Sequence, residues 1–151
     1  MPESWVGAAI AAAVLCVAVV LGLLWQRYNG RMREVKAAET AAPAAGLLAE
    51  LGVRPGTPAT LLQFSSAFCA PCRVTRRICG EVAAQLDGVR HLEVDAEAHL
   101  DAVRALGVMR TPTVLVLDAA GREVRRASGQ PSKAQVIAAV APLLEASADQ
   151  S

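Results

Sequence analysis

Apolar residues run without a break from Trp5 to Trp25 and afterwards return only in short, regularly spaced groups. Between the two tryptophans lies VGAAIAAAVLCVAVVLGLL, which holds no charged residue. As a helix the run from Trp5 to Trp25 spans roughly 31 Å, about the hydrocarbon thickness of a bilayer. Trp5, Trp25 and Tyr28 sit where interfacial aromatic residues are expected. The pattern predicts one membrane-spanning helix over residues 5–25. A cleaved signal peptide fits poorly, because Met-Pro-Glu-Ser carries no Lys or Arg and the apolar run exceeds the usual length of roughly 7–15 residues. Leu15 is too large to precede a lipidated cysteine, so Cys16 reads as a small apolar residue within the membrane.

Residues 29–45 are polar and then Ala-rich, with no apolar stripe, and read as a linker that lets the following domain stand off the membrane. Residues 26–58 together form a juxtamembrane basic segment and linker, including a short helix over 47–53 and a turn at 54–58. From residue 59 the spacing becomes that of packed elements. Residues 59–65 form an apolar strand. Val74, Ile78, Val82 and Leu86 recur at four-residue steps with Arg73, Arg76, Arg77 and Glu81 outside, predicting a helix over 71–86. Pro71 is tolerated in its first turn, where a missing N–H has no partner to lose. A strand over 89–94 and a helix over 97–106, stopped by Gly107, come next. TVLVL at 113–117 is apolar on both faces, as a central strand requires. The charged stretch 122–128 suits an edge strand. Ser132 and Gln135 make a capping box for a last helix. The order β-α-β-α-β-β-α predicts an α/β domain with a mixed sheet over 59–147.

Composition sharpens this in two ways. The chain is 54% hydrophobic, and the first helix supplies much of the excess. From Ala59 onward there are ten basic and ten acidic residues, so the domain is neutral and nucleic acid is not an expected partner. The basic surplus is juxtamembrane: Arg27, Arg31, Arg33 and Lys36 follow the helix and none precede it. By the positive-inside rule the domain faces the cytoplasm, with contacts to lipid headgroups. The opposite topology, facing outward, is the alternative.

The candidate chemistry is Cys69-Ala70-Pro71-Cys72, directly after a strand pattern and directly before a helix pattern. Two cysteines so spaced can close a disulfide and release it. A helix N-terminus beneath the first favours its thiolate, typically lowering a thiol pKa from about 8.5 to roughly 3.5–7.5. The alternatives are weaker. A structural bridge over so short a loop stabilises little, and a zinc site needs four ligands. Only Cys79, His91 and His99 remain in this domain, none at knuckle spacing, so no metal is expected. Cys79 lies on the same helix face as Cys72 and reads as a core thiol; a regulatory thiol exchanging with Cys72 is the other reading. Asp95 reads as a cap for the next helix, and His91 and His99 receive no role.

Ser65-Ser66-Ala67-Phe68-Cys69-Ala70-Pro71-Cys72-Arg73, with Thr111-Pro112-Thr113 heading a later strand, resembles the thioredoxin family over about residues 59–147. The family carries Trp-Cys-Gly-Pro-Cys-Lys and a cis-proline loop facing the sulfurs. The resemblance implies a thioredoxin-like fold whose first strand is shortened or absent here. It implies dithiol–disulfide exchange with protein substrates, Cys69 as nucleophile and Cys72 as resolving thiol, and no cofactor beyond the cysteine pair. Phe68, Ala70, Pro71, Thr111, Pro112 and Gly129 would contact substrate, and Arg73, Arg76, Arg77 and Arg110 would either rim the site or form a solvated face. An upstream reductant such as a thioredoxin reductase or a membrane thiol-electron transporter would supply electrons. An exported-face reductase for secreted proteins or cytochrome maturation, and a binding module without turnover, are the rival functions. Three residues depart from the family pattern. Gln63 stands where the family has a buried acid that moves the resolving thiol's proton, Phe68 replaces Trp, and Ala-Pro replaces Gly-Pro.

Overall fold

The computed structural model describes residues 3–28, 30–35 and 45–149. Lys36 and most of the Ala-rich stretch lie outside them. Helix α1 (Glu3–Tyr28) contains the apolar run and is exposed along it on every side. A helix with no polar face has nothing to turn toward water and is suited to lipid. Trp5–Trp25 is long and apolar enough to cross a membrane or to act as a signal sequence.

The remaining elements are β1 (Met32–Glu34), α2 (Ala45–Glu50), β2 (Ala59–Ser65), α3 (Ala70–Gln85), β3 (Val89–Asp95), α4 (Leu100–Ala105), β4 (Thr113–Asp118), β5 (Glu123–Ser128) and α5 (Lys133–Ala148). They build one five-stranded sheet in the order β1-β5-β4-β2-β3. Strands β2 and β3 are parallel, and the other pairings are antiparallel. Every residue of β2 is buried, because helices cover both faces. Ala59, Leu61, Val114 and Val116 pack beneath α3 and α5 with Cys79, Val82, Val136 and Val140. Leu62, Phe64, Leu115 and Leu117 point the other way, into a second core with Leu48 of α2 and Ala102 of α4. Alternation along β2 thus sends Gln63 to the α3 side.

Three expectations are corrected. Met32–Glu34, inside the stretch read as a linker, forms a strand with Met32 opposite Ala127 and Glu34 opposite Arg125. Backbone pairing sufficed there, with an Arg125–Glu34 ion pair of 2.8 Å, so no apolar stripe announced it. Consequently β5 is not an edge: its charges lie between β1 and β4, and among the described residues the edge on that side belongs to β1. The helix expected from residue 97 begins at Leu100. Ala96 N–H is taken by Ser65 O (2.8 Å) and Glu97 N–H by Asp95 Oδ1 (2.9 Å), which fixes a turn there instead. The capping box is present as expected, with Ser132 Oγ accepting from Gln135 N–H and Gln135 Oε1 accepting from Ser132 N–H.

Candidate functional site

One end of the sheet collects the C-terminal ends of β2, β3 and β5 and the start of β4, since Ser65 pairs with Asp95 and Thr113 with Ser128. Chain leaving β2 there must turn into α3, and Cys69 is the N-cap of that helix. Its sulfur accepts a hydrogen bond from Cys72 N–H at 3.2 Å. Unpaired N–H groups of a first helical turn favour negative charge, so this position stabilises a sulfur anion. Cys69 and Cys72 are joined as a disulfide, S–S 2.02 Å. Cys69 is half-buried and Cys72 only 1% exposed, which makes the first sulfur accessible and the second sheltered. Phe68, Ala70 and Pro71 are exposed around them, Phe68 completely.

The other predicted residues converge on this spot from distant sequence. The Thr111–Pro112 peptide bond is cis. Thr111 Oγ1 shares a hydrogen bond with Ser66 Oγ at 2.9 Å, tying the proline loop to the segment that leads into Cys69. Gly129, at φ +110°, donates its N–H to Pro112 O at 2.7 Å. A positive φ suits glycine, which has no Cβ to clash. Among the four arginines near the cysteines, Arg76 Nη2 donates to Glu93 Oε1 (2.9 Å) and Arg110 Nη2 to Ser128 O (2.8 Å).

Beneath Cys72 the sequence reading missed a polar network. Gln63 is fully buried, and its Nε2 donates to Cys72 O (3.0 Å) and Ser65 Oγ (2.8 Å). A carbonyl only accepts, so the amide nitrogen must face Cys72 and Oε1 must face His91 Nε2, 3.1 Å away. The imidazole therefore carries its proton on Nε2. Burial pushes the His91 pKa down, with Arg76 adding to the effect and Glu93 opposing it. Burial alone would raise the Glu93 carboxyl, but the Arg76 guanidinium and Ser65 hydroxyl hold it below its ordinary value. The signal was the parallel register: Gln63 pairs with Glu93, and His91 lies two residues earlier on the same face. A half-open depression of about 440 Å³ is lined by Cys69, Cys72, Ser65, Arg76 and Glu93 among others.

Cys79 lies deeper in α3, wholly buried, and burial pushes its pKa up to about 12. It is a packed thiol. Among the described residues no group of three or more His, Cys, Asp or Glu side chains could hold a metal ion.

Residues 52–142 match the family profile described as Thioredoxin. The chain belongs to the thioredoxin family. It is 31% identical to thioredoxin of Alicyclobacillus acidocaldarius over 91 residues, 60% of this chain and 86% of that one. It is 27% identical to thioredoxin of Mycoplasma genitalium over 77 residues, 51% of this chain and 74% of the other. Its fold is similar to those of a mutant thioredoxin from Halobacterium salinarum (TM-score 0.56, 18% identity, covering 64% and 81% of the two chains) and Fasciola hepatica thioredoxin (0.55, 23%, 66% and 92%). This thioredoxin-family oxidoreductase thus has a disulfide-forming Cys-x-x-Cys pair, and the family implies protein thiols as substrates. The apolar stretch Trp5–Trp25 lies outside the residues that the family profile matches.

Proposed function

We propose that the chain is a membrane-tethered thiol–disulfide oxidoreductase that exchanges the Cys69–Cys72 dithiol or disulfide with protein substrates. The observation that carries this is the pair's position at the start of α3, with the cis Thr111–Pro112 loop tied through Thr111 to Ser66 of the segment leading into Cys69. In the reducing direction the Cys69 thiolate attacks a substrate disulfide, forming a mixed S–S bond and expelling one substrate sulfur as thiolate. Cys72 then loses its proton and attacks Cys69 Sγ. The second substrate sulfur leaves, so two electrons and two protons have passed to the substrate and Cys69–Cys72 is a disulfide. The reverse sequence oxidises a dithiol.

Substrate backbone would lie along Thr111 beside Pro112, with Phe68, Ala70, Pro71 and Gly129 as the surrounding surface. Gln63 is an amide at neutral pH and takes no proton, so the Cys72 proton leaves by water in the adjoining depression. The Gln63 hydrogen bond holds the Cys72 carbonyl, and through it the first turn of α3. No bound cofactor is needed for exchange between sulfurs. Electrons would come from a thioredoxin reductase or a membrane thiol-electron transporter.

The Trp5–Trp25 helix would anchor the chain in the membrane, with the domain on the cytoplasmic side. That orientation rests on Arg27, Arg31, Arg33 and Lys36 following the helix and no basic residue preceding it. Alkaline phosphatase and fluorescent-protein fusions at the C-terminus test it. A bright fluorescent fusion is expected, and an active phosphatase with a dark fluorescent fusion would move the domain outside. Reduction of insulin by dithiothreitol tests the chemistry. The wild-type chain should accelerate it, and rates unchanged in Cys69→Ser and Cys72→Ser would leave only a binding role.

A further inference from the structure

The membrane helix joins the domain at the same end of the sheet as the cysteines. Strand β1 begins at Met32 opposite Ala127, so it enters where β5 ends, at the Ser128–Gly129 corner against Pro112. Gly30 N–H donates to Ser128 O at 3.1 Å, and the same carbonyl accepts from Arg110. Gly30 sits at φ +86°, and a Cβ there would lie 2.0 Å from Gln130 O. The backbones of the entering segment and the Gly129 loop are therefore in direct contact.

The join is also short and braced. Four residues separate Trp25 from Gly30, five steps along the chain that span at most roughly 17 Å when fully extended. The Arg31 and Arg33 guanidinium carbons each lie 5.7 Å from the Tyr28 ring centroid, holding the helix end to the start of β1. A seven-residue strand is about 23 Å long, so the opposite end of the sheet, at Asp118 and the following turn, lies about that much further away.

We infer that this tether holds the catalytic end of the domain at the bilayer surface, and that its substrates are cysteine pairs of integral membrane proteins lying at headgroup level. Surface character at that end agrees. Phe68 and Met109 are almost wholly exposed, and Arg31, Arg33, Arg73 and Arg77 are exposed cations nearby in the chain or fold. Apolar side chains among basic ones suit the border between anionic headgroups and a protein's membrane-proximal segment. The exchange is the balanced one above: two electrons and two protons pass between the Cys69–Cys72 pair and one client disulfide. This inference rests on the membrane anchoring proposed above, and it holds for either side of the membrane.

The test uses the full chain in liposomes, with Cys16→Ser throughout and buried Cys79 left in place. A fluorophore is attached at Cys69 in a Cys72→Ser chain, or at Ala120→Cys in a Cys69→Ser, Cys72→Ser chain. Quenching by lipids spin-labelled on the headgroup is compared between the two. Several-fold stronger quenching at Cys69 is expected; equal quenching, or stronger quenching at position 120, overturns the inference. A flexible Gly/Ser spacer of roughly 20 residues placed after Tyr28, about 25 Å in mean reach, should abolish the bias. It should also slow reduction of a disulfide peptide held close to the bilayer by a lipid tail, leaving insulin reduction unchanged. A bias that survives the spacer overturns the tether as its cause. Flotation with the vesicles is read first, so a chain that fails to float identifies failure of the anchoring, separately from its geometry.

Discussion

Three cysteines lie within eleven residues at the N-cap and along α3, and their surroundings make them different reagents. At the head of the helix, Cys69 is accessible and receives a backbone N–H, while Cys72 lies beneath it on a polar network of Gln63, Ser65 and His91. In the middle, Cys79 is enclosed by Ala59, Leu61, Val82 and Val114 and its thiol is pushed up to about 12. Residue type sets what chemistry is possible, and position relative to the helix start sets whether it occurs.

The largest effect that tests this contrast is on turnover. Cys69→Ser should reduce insulin reduction to the uncatalysed background, whereas Cys79→Ala should leave the rate within about twofold, since a buried thiol of such high pKa is almost never ionised at neutral pH. Alkylation of the reduced chain should give the same division. Iodoacetamide at neutral pH should modify Cys69 and spare Cys79 until the protein is unfolded, and early labelling of Cys79 by peptide mass spectrometry would erase the distinction.

Stability should respond in the other sense. Gln63→Leu leaves Cys72 O, Ser65 Oγ and His91 Nε2 each short of a partner and should cost about 1–3 kcal/mol, read from denaturant unfolding of the full chain in nanodiscs. Cys79→Ala opens a small cavity and should cost about 1 kcal/mol in the same assay. A result with Cys79 the costlier would reverse the view that the polar shell is the more demanding structure.

The smallest expected effect is on acid stability. His91 ordinarily titrates at 6.5 and is lower in the folded chain, so the unfolded chain binds the proton first. Its contribution is complete above 6.5 and is lost as pH falls below that toward the folded value. Glu93 is also lowered from 4.5, and its contribution is present above 4.5 and lost as pH falls through its folded value. Between about pH 7 and pH 5 the unfolding midpoint should therefore decline, with a shallower decline in His91→Gln. Glu93→Gln should remove the decline at lower pH and, by taking away the charge that opposes the lowering of His91, steepen the one between about pH 7 and pH 5.

Much of this arrangement was legible in the chain itself. Four-residue spacing marked α3, the apolar TVLVL run marked β4, and Ser132 with Gln135 marked the start of α5. The Cys-x-x-Cys pair and Thr111-Pro112 identified the site, because their chemistry is local to a few residues. What escaped depends on pairing across long sequence separation. Met32–Glu34 has no apolar alternation and became a strand by pairing with β5. His91 and Glu93 looked like ordinary polar residues until the β2–β3 register set them beside Gln63. The shorter α4 follows from amide groups claimed by Ser65 and Asp95, a competition that helix periodicity does not encode.

Among the described residues strand β3 has only β2 as a neighbour, so one side of its backbone has no strand beside it there. Such an edge can join another copy of itself, and the membrane anchoring proposed above would make encounters between copies in matching orientation frequent. Arg90, Glu93 and Asp95 along this strand give it charges that would have to be desolvated or opposed in an intermolecular sheet. In a chain anchored as proposed above, the row of charges would thus guard against self-association in two dimensions.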